Sequence, residues 1–239
     1  MSLACYATIH LARFDEVVSI DSNQSVPMVG DPSAWMVGTD NAVAGTAPGL
    51  NQGAAWIALG LHADRSSAHS VFDAGGDAVP YFAGAVESWS AVLEPIGHRG
   101  EVNWLDNDQP GLVFSVTPRR TVGSFVVVTS VGWTFDERFD LNKAMDFAHG
   151  VERVRSTMDG VDGLGSQQAF SFPSLASDGI TVTFWRDDAS MRAFAYRPGE
   201  HKFQIDRYRE LVTADRSSFT RFVPIVQRGT WNGRNPLAL

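Results

Sequence analysis

Ile180 to Pro236 reads ITVTFWRDDASMRAFAYRPGEHKFQIDRYRE and then, after a short interval, FTRFVPIVQRGTWNGRNP. Ile180, Val182 and Phe184 alternate with Thr181, Thr183 and Trp185. Period two with β-branched residues predicts a half-buried strand. Asp187 or Asp188 is placed to cap a following helix whose apolar face is Met191, Phe194 and Ala195. Pro198-Gly199 ends that helix. A second helix is predicted from about Glu200 to Val212. At about 100° per residue, His201, Ile205, Tyr208 and Val212 share one stripe. Lys202, Asp206, Arg207, Arg209 and Glu210 fall elsewhere, and Phe203 does not fit the stripe. A strand from Phe219 to Val226 then runs into Arg228-Gly229, with Trp231 beyond. The unit is strand, two short helices, strand, with one histidine turned to the apolar side.

Outward from this unit, Cys5 to Phe14 alternates as a strand. Residues 21 to 54 are rich in Gly and Pro and predict a long irregular excursion, with a short helix near Ser33 to Val37. A loop of this length is often functional. Ala55 to Leu61 reads as a strand and Asp64 to Phe72 as a short helix broken at Gly75-Gly76. Ala78 to Leu93 predicts a helix, with Val79, Phe82, Ala83, Val86, Ser90 and Leu93 on one face, ended by Pro95; a short strand then leads to Arg99-Gly100. Turn residues Asp106, Asn107, Asp108, Pro110 and Gly111 mark a connector, with Leu112 to Val116 as an added strand. Ser124 to Val131 is an apolar strand. Leu141 to Met158 is the longest helix, with Phe147, Val151, Val154 and Met158 as its stripe, and Gln167 to Phe172 alternates as a strand.

The halves run in parallel order. Ala12-Arg13-Phe14-Asp15 is similar to Trp133-Thr134-Phe135-Asp136, and His98-Arg99-Gly100 to Gln227-Arg228-Gly229. Each half reads as β-α-β-β-α-β, the split βαβ motif. The expected fold is therefore α+β: a first ferredoxin-like repeat at 1–104, a connector at 105–122 and a second repeat at 123–239. A four-stranded sheet with helices on one face must cover its other face. Two fused halves do so by closing into a dimeric α/β-barrel-like single chain.

The 239 residues are 44% hydrophobic and 19% charged, ordinary for a globular chain. A formal charge of −8 argues against nonspecific nucleic-acid binding. There is no run of ~18 apolar residues for a membrane span, and no secretory signal is evident. The expected location is cytoplasmic. The single cysteine, Cys5, excludes an intramolecular disulfide and a Cys-cluster metal site.

Two blocks carry a family resemblance. Phe184 to His201 (FWRDDASMRAFAYRPGEH), with FTRF and RGTWNGRNPL after it, resembles the C-terminal end of the spheroidene monooxygenase family. Ala85 to Gly100 (AVESWSAVLEPIGHRG) resembles its middle. Together they span about a third of the chain. The resemblance implies a monooxygenase of a dimeric α/β-barrel fold that oxidises a hydrophobic, carotenoid-like substrate with O2. Haem is its implied cofactor, with an electron donor as partner, and peripheral membrane contact is conceivable for so apolar a substrate. The chain departs from the family in lacking a recognisable glycine-rich element in its first half. It also carries Thr213-Ala214-Asp215-Arg216 where the family has an acidic aromatic stretch. Two alternatives stay open: a cofactor-free oxygenase or isomerase on the same fold, and a non-catalytic protein that binds a hydrophobic ligand.

His201 is the candidate metal ligand: a neutral imidazole suits haem iron if its second nitrogen has a hydrogen-bond partner. The alternative is a core histidine satisfied by a backbone carbonyl. Arg228 is a candidate for a haem propionate; capping a helix end is the commoner role. Tyr208 completes the cofactor set, and Trp185, Tyr196, Ile205 and Phe222 are candidate walls of an apolar substrate pocket. His149 is expected to be solvated, His62 and His69 structural, and His98 on a loop surface. No catalytic residue is assigned. The scattered histidines do not make a zinc site, and neither a nucleophile elbow nor a dinucleotide-binding loop is present.

Overall fold

A computed structural model describes residues 3–19, 34–40, 52–75, 82–100, 113–117, 123–133, 139–172, 175–211 and 216–239, with Val79 and Glu137 singly. Its strands are β1 (Leu3–Ala4), β2 (Tyr6–Ser19), β3 (Ala34–Thr39), β4 (Gln52–His62), β5 (Glu87–Gly100), β6 (Val113–Phe114), β7 (Phe125–Gly132), β8 (Leu164–Phe172), β9 (Leu175–Trp185) and β10 (Arg216–Gly229). The helices are α1 (Arg65–Ala74), α2 (Leu141–Ser156), α3 (Asp188–Tyr196) and α4 (Glu200–Leu211).

Eight strands close into an antiparallel barrel in the order β10-β5-β2-β4-β3-β8-β9-β7. Closure removes sheet edges. In each run of four barrel strands, the fourth lies beside the first, the first beside the third, and the third beside the second. The interior holds one apolar cluster that includes Ile9, Leu11, Ile57, Trp89, Phe184 and Phe222. Period-two alternation puts these residues inside and their neighbours outside, beneath the helices.

Local chemistry sets the helix ends. Asp64, Asp140 and Asp187 each occupy the N-cap and accept backbone N–H groups of the first turn. Of the two carboxylates weighed for the α3 cap, Asp187 holds it, and Asp188 pairs with Arg221 and Arg192. Gly75 ends α1 at φ 62°, where a side chain would be strained. The α4 stripe position Val212, the excursion over 21–33 and 41–51, and the connector turns at 106–111 lie outside the described residues.

Two expectations are corrected. The predicted helix over Ala78–Leu93 is instead strand β5 from Glu87 onward. Trp89, Ala91 and Leu93 line the barrel interior, while Ser90 and Val92 face outward under α1. A short segment apolar on both faces fits either period, and pairing with β2 and β10 decides it. Pro95 does not end the segment; it sits beside a register shift between β5 and β10, where a missing N–H is tolerated. The predicted short helix near Ser33–Val37 is also a strand, β3, paired along β4.

Residues after β10 fold across one barrel end. Trp231 and Leu237 join the interior cluster, and Arg13 stacks 4.3 Å over the Trp231 ring. Asn232 and Arg234 donate to Ser166 Oγ and the Gly165 carbonyl. The RGTWNGRNPL motif is thus a barrel plug.

Candidate functional site

The outer faces of the two halves are built differently. In the first half α1 lies directly on β2, β4 and β5. Beneath it Thr8, His10, Ala58, His62 and Val92 are buried. His62 bridges Thr8 Oγ1 and Ser67 Oγ, both at 2.9 Å, and His10 Nδ1 meets Ser90 Oγ at 2.9 Å. Gly60 makes room for this: a Cβ there would lie 2.6 Å from Thr8 Oγ1 and 3.0 Å from His62 Nε2. Burial lowers both imidazoles to a pKa of about 4, with Arg228 opposing a charge on His10 and Asp64 partly restoring His62.

In the second half α2 and α4 pack on each other and α3 on β9. α3 covers one part of the sheet through Trp185, Met191, Phe194 and Phe125. The sheet positions Thr129, Val131 and Thr181 stay half-buried, as do Val151 and Val154 on α2 and Ile205 on α4.

The predicted residues separate over these surfaces. His201, Ile205 and Tyr208 share the α4 stripe and are all half-buried. His201 Nδ1 lies 3.2 Å from the Ala195 carbonyl, so Nδ1–H donates and Nε2 carries the lone pair. Its ring packs 5.0 Å from that of Phe194. Burial lowers its pKa, with the Ala195 carbonyl opposing. Tyr208 donates to the Asp146 carbonyl at 2.9 Å and packs against Phe147 with tilted rings 4.7 Å apart. Burial first, then Asp146, pushes its phenol up. A Cβ on Gly150 would strike the Tyr208 hydroxyl, so α2 needs glycine there to approach α4.

The remaining candidates lie elsewhere. Trp185 belongs to the cluster between α3 and the sheet, and its Nε1 donates to Thr183. Tyr196 is 56% exposed. Phe222 points into the barrel. Arg228 donates to the Phe72 carbonyl at the end of α1 and stacks 4.4 Å over the Phe72 ring. It therefore serves the first-half helix, and the fold does not bring it to His201. His149 is exposed, as expected for a solvated face.

The sequence reading missed a polar group inside the barrel. Ser218, Thr220 and Phe222 alternate on β10, so the inward Phe222 carries the two hydroxyls inward with it. Ser218 Oγ meets Ser130 Oγ at 2.6 Å, and Thr220 Oγ1 meets His98 Nδ1 at 2.8 Å. The expectation of His98 on a loop surface is corrected: it is a β5 residue, paired across from Thr220. The period of SFTRF, read from Phe222, was the signal available. Among the described residues no group of three or more His, Cys, Asp or Glu is placed to hold a metal ion.

No family model matches the chain, and no curated protein matches it. Solved structures do. An aldoxime dehydratase in complex with butyraldoxime superposes with a TM-score of 0.54 at 10% identity, covering 93% of this chain and 80% of that one. A second aldoxime dehydratase gives 0.52 at 9%, covering 93% and 82%. A Lactobacillus acidophilus NCFM protein, provisionally described as a monooxygenase, gives 0.40 at 12%, covering 95% and 96%. At these identities the likeness to the dehydratases concerns the fold alone. The closed eight-stranded barrel with external helices is compatible with the dimeric α/β-barrel class.

Proposed function

We propose that the chain is an oxygenase-type enzyme of the dimeric α/β-barrel class that acts on an apolar small molecule. The site is the half-buried layer between α2, α4 and the second-half sheet. The observation that carries this reading is His201. Its Nδ1 is held by a backbone carbonyl, its Nε2 lone pair is left over, and it shares a stripe with the half-buried Ile205 and Tyr208. The resemblance of the β9–α4 stretch to the spheroidene monooxygenase family supports the oxygenase class and a carotenoid-like substrate. The common strand order of the two four-stranded runs supports reading 1–104 and 123–239 as ferredoxin-like repeats joined at 105–122.

The residues of this layer fit a haem ligated by His201. A carbonyl-anchored imidazole is oriented and made more basic by that bond, and burial keeps it neutral and able to coordinate. Arg228 does not fit as a propionate partner, because α1 holds it. Bound haem would supply oxygen activation. The chain's own residues fix the imidazole through Ala195, hold α4 against α2 through Tyr208, and exclude water with Ile205, Val151 and Val154.

An absorption spectrum after haem supplementation tests the cofactor. A Soret band present in the native protein and lost in His201→Ala, with unchanged circular dichroism, is the expected result; a band unchanged in the variant rejects His201. Oxygen uptake on adding a carotenoid tests the activity. Uptake without a Soret band moves the reading to cofactor-free oxygenation. No uptake, with carotenoid bound, leaves a hydrophobic-ligand carrier.

A further inference from the structure

The two halves of the barrel meet along two unequal seams. Between β10 and β5 the ladder runs from Ser218–Gly100 to Gly229–Trp89. Between β3 and β8, among the described residues, one pair is made, Thr39 with Ser171. Backbone groups at a strand edge without ladder partners open more readily than those inside a sheet. By its described pairing the β3–β8 seam is the weaker of the two.

Residues 230–239 follow β10 across the barrel end and bind to both halves. On the first-half side the Thr230 N–H donates to the Ser88 carbonyl at 2.8 Å, and the Gly233 N–H donates to Glu87 Oε1 at 2.6 Å. Glu87 Oε2 accepts from Arg13 at 3.2 Å, and that guanidinium covers the Trp231 ring. On the second-half side Asn232 donates to Ser166 Oγ at 2.7 Å and Arg234 to the Gly165 carbonyl at 2.8 Å. A Cβ on Gly165 would lie 2.3 Å from the Pro236 carbonyl oxygen, so the segment rests directly on β8. Between the two sets of anchors Trp231 and Leu237 are buried in the interior cluster.

The segment has a defined shape. Asn232 and Gly233 have φ of 58° and 75°, the pair of positive values that a two-residue hairpin turn requires and that Asn-Gly supplies. The Trp231 N–H closes this turn by donating to the Arg234 carbonyl at 2.8 Å. Gly229, at φ 89°, lets the chain pass over Ser88, where a Cβ would lie 2.1 Å from the carbonyl oxygen. A turn that forms locally gives up less conformational freedom on docking.

We propose that residues 230–239 are a latch that holds the β3–β8 seam closed by tying β2 and β5 to β8 across the barrel end. When the latch is released, β3 and β8 part first, while the long β10–β5 seam keeps the halves joined. The latch shares no residue with the α4 stripe, so this closure and haem binding by His201 stand or fall separately.

Hydrogen exchange followed by mass spectrometry, on the native chain and on two variants, tests the latch. Trp231→Ala removes the buried anchor and should speed exchange in β3 and β8 at least ~10-fold, with β5, β7 and β10 near their native rates. Asn232→Gly keeps the turn and the indole and deletes the bond to Ser166. It should give the same pattern at about 5-fold, the loss of one hydrogen bond. Acceleration spread evenly over the barrel strands, acceleration confined to 230–239, or no acceleration in folded Trp231→Ala overturns the proposal. Should Trp231→Ala fail to fold, Asn232→Gly decides alone on the same terms.

Discussion

The first-half sheet is sealed by its helix and the second-half sheet is not. Under α1 Thr8 is 0%, His10 3% and His62 0% exposed. On the outer face of the second-half sheet, mid-strand positions Thr129, Val131 and Thr181 keep partial exposure. Both halves use the same strand order, so the strands do not cause the difference. The helices do. α1 is capped at both ends and pinned at its C-terminus by Arg228. α2 and α4 spend their best contacts on each other, through Tyr208, Gly150 and the Arg207–Asp146 and Arg153–Glu200 pairs. A layer held together sideways can stand off its sheet. The first-half helix lies on its sheet, whereas α2 and α4 hold chiefly to each other.

The comparison breaks most visibly with acid. His10 and His62 have folded pKa values of about 4, below the 6.5 of a free histidine. The unfolded chain binds protons first, so their stabilisation is complete above pH 6.5 and is lost as pH falls toward 4. At 1.36 kcal/mol per unit, each group accounts for about 3 kcal/mol. Urea unfolding at pH 7 and pH 4.5 should show the drop. Replacing His62 by Gln, which keeps hydrogen bonds without titrating, should remove a large share of it. An unchanged pH slope in that variant would contradict the sealed network.

A matched pair of truncations tests the packing. Val71→Ala, on the fully buried face of α1, should cost about 2 kcal/mol, because it adds a cavity to the lost transfer energy. Val151→Ala, half-buried on α2, should cost less than about 1 kcal/mol. Equal losses by thermal denaturation would mean that the two faces are sealed alike. Tyr208→Phe, which deletes the bond to the Asp146 carbonyl, should lower stability by about 1 kcal/mol. It should also loosen α4 against α2. Hydrogen exchange that speeds up in α4 and not in α1 would place the loss where the comparison puts it.

Much of the second half was legible in the sequence because its signals are local. Alternation from Ile180 to Trp185, an aspartate cap before α3, and Pro198-Gly199 between helices act over a few residues. The same locality misled at Ala78–Leu93. There Val79, Phe82, Val86 and Leu93 satisfy a helical stripe, while the strand exists only because β2 and β10 lie on either side to pair with it. The stretch Gly-rich and Pro-rich around β3 hid a strand for a similar reason, since β3 is recognisable only by its partner β4.

For the candidate site, the sequence by itself determined the α4 stripe, His201 beside Ile205 and Tyr208, because helical geometry fixes those angles without reference to the rest of the chain. Strand period likewise puts Thr220 on the face of Phe222, whereas Ser218 lay outside the expected strand, which begins at Arg216 in the structure. Only the tertiary structure decided which face is inside. Barrel closure sends Phe222 inward and Trp185 outward, and it brings Thr220 to His98 across a sequence separation of 122 residues. Closure also placed Arg228 at the end of α1 instead of near His201. Period and propensity act along the chain, whereas the assignment of inside and outside is a property of the closed sheet, and no stretch of sequence carries it alone.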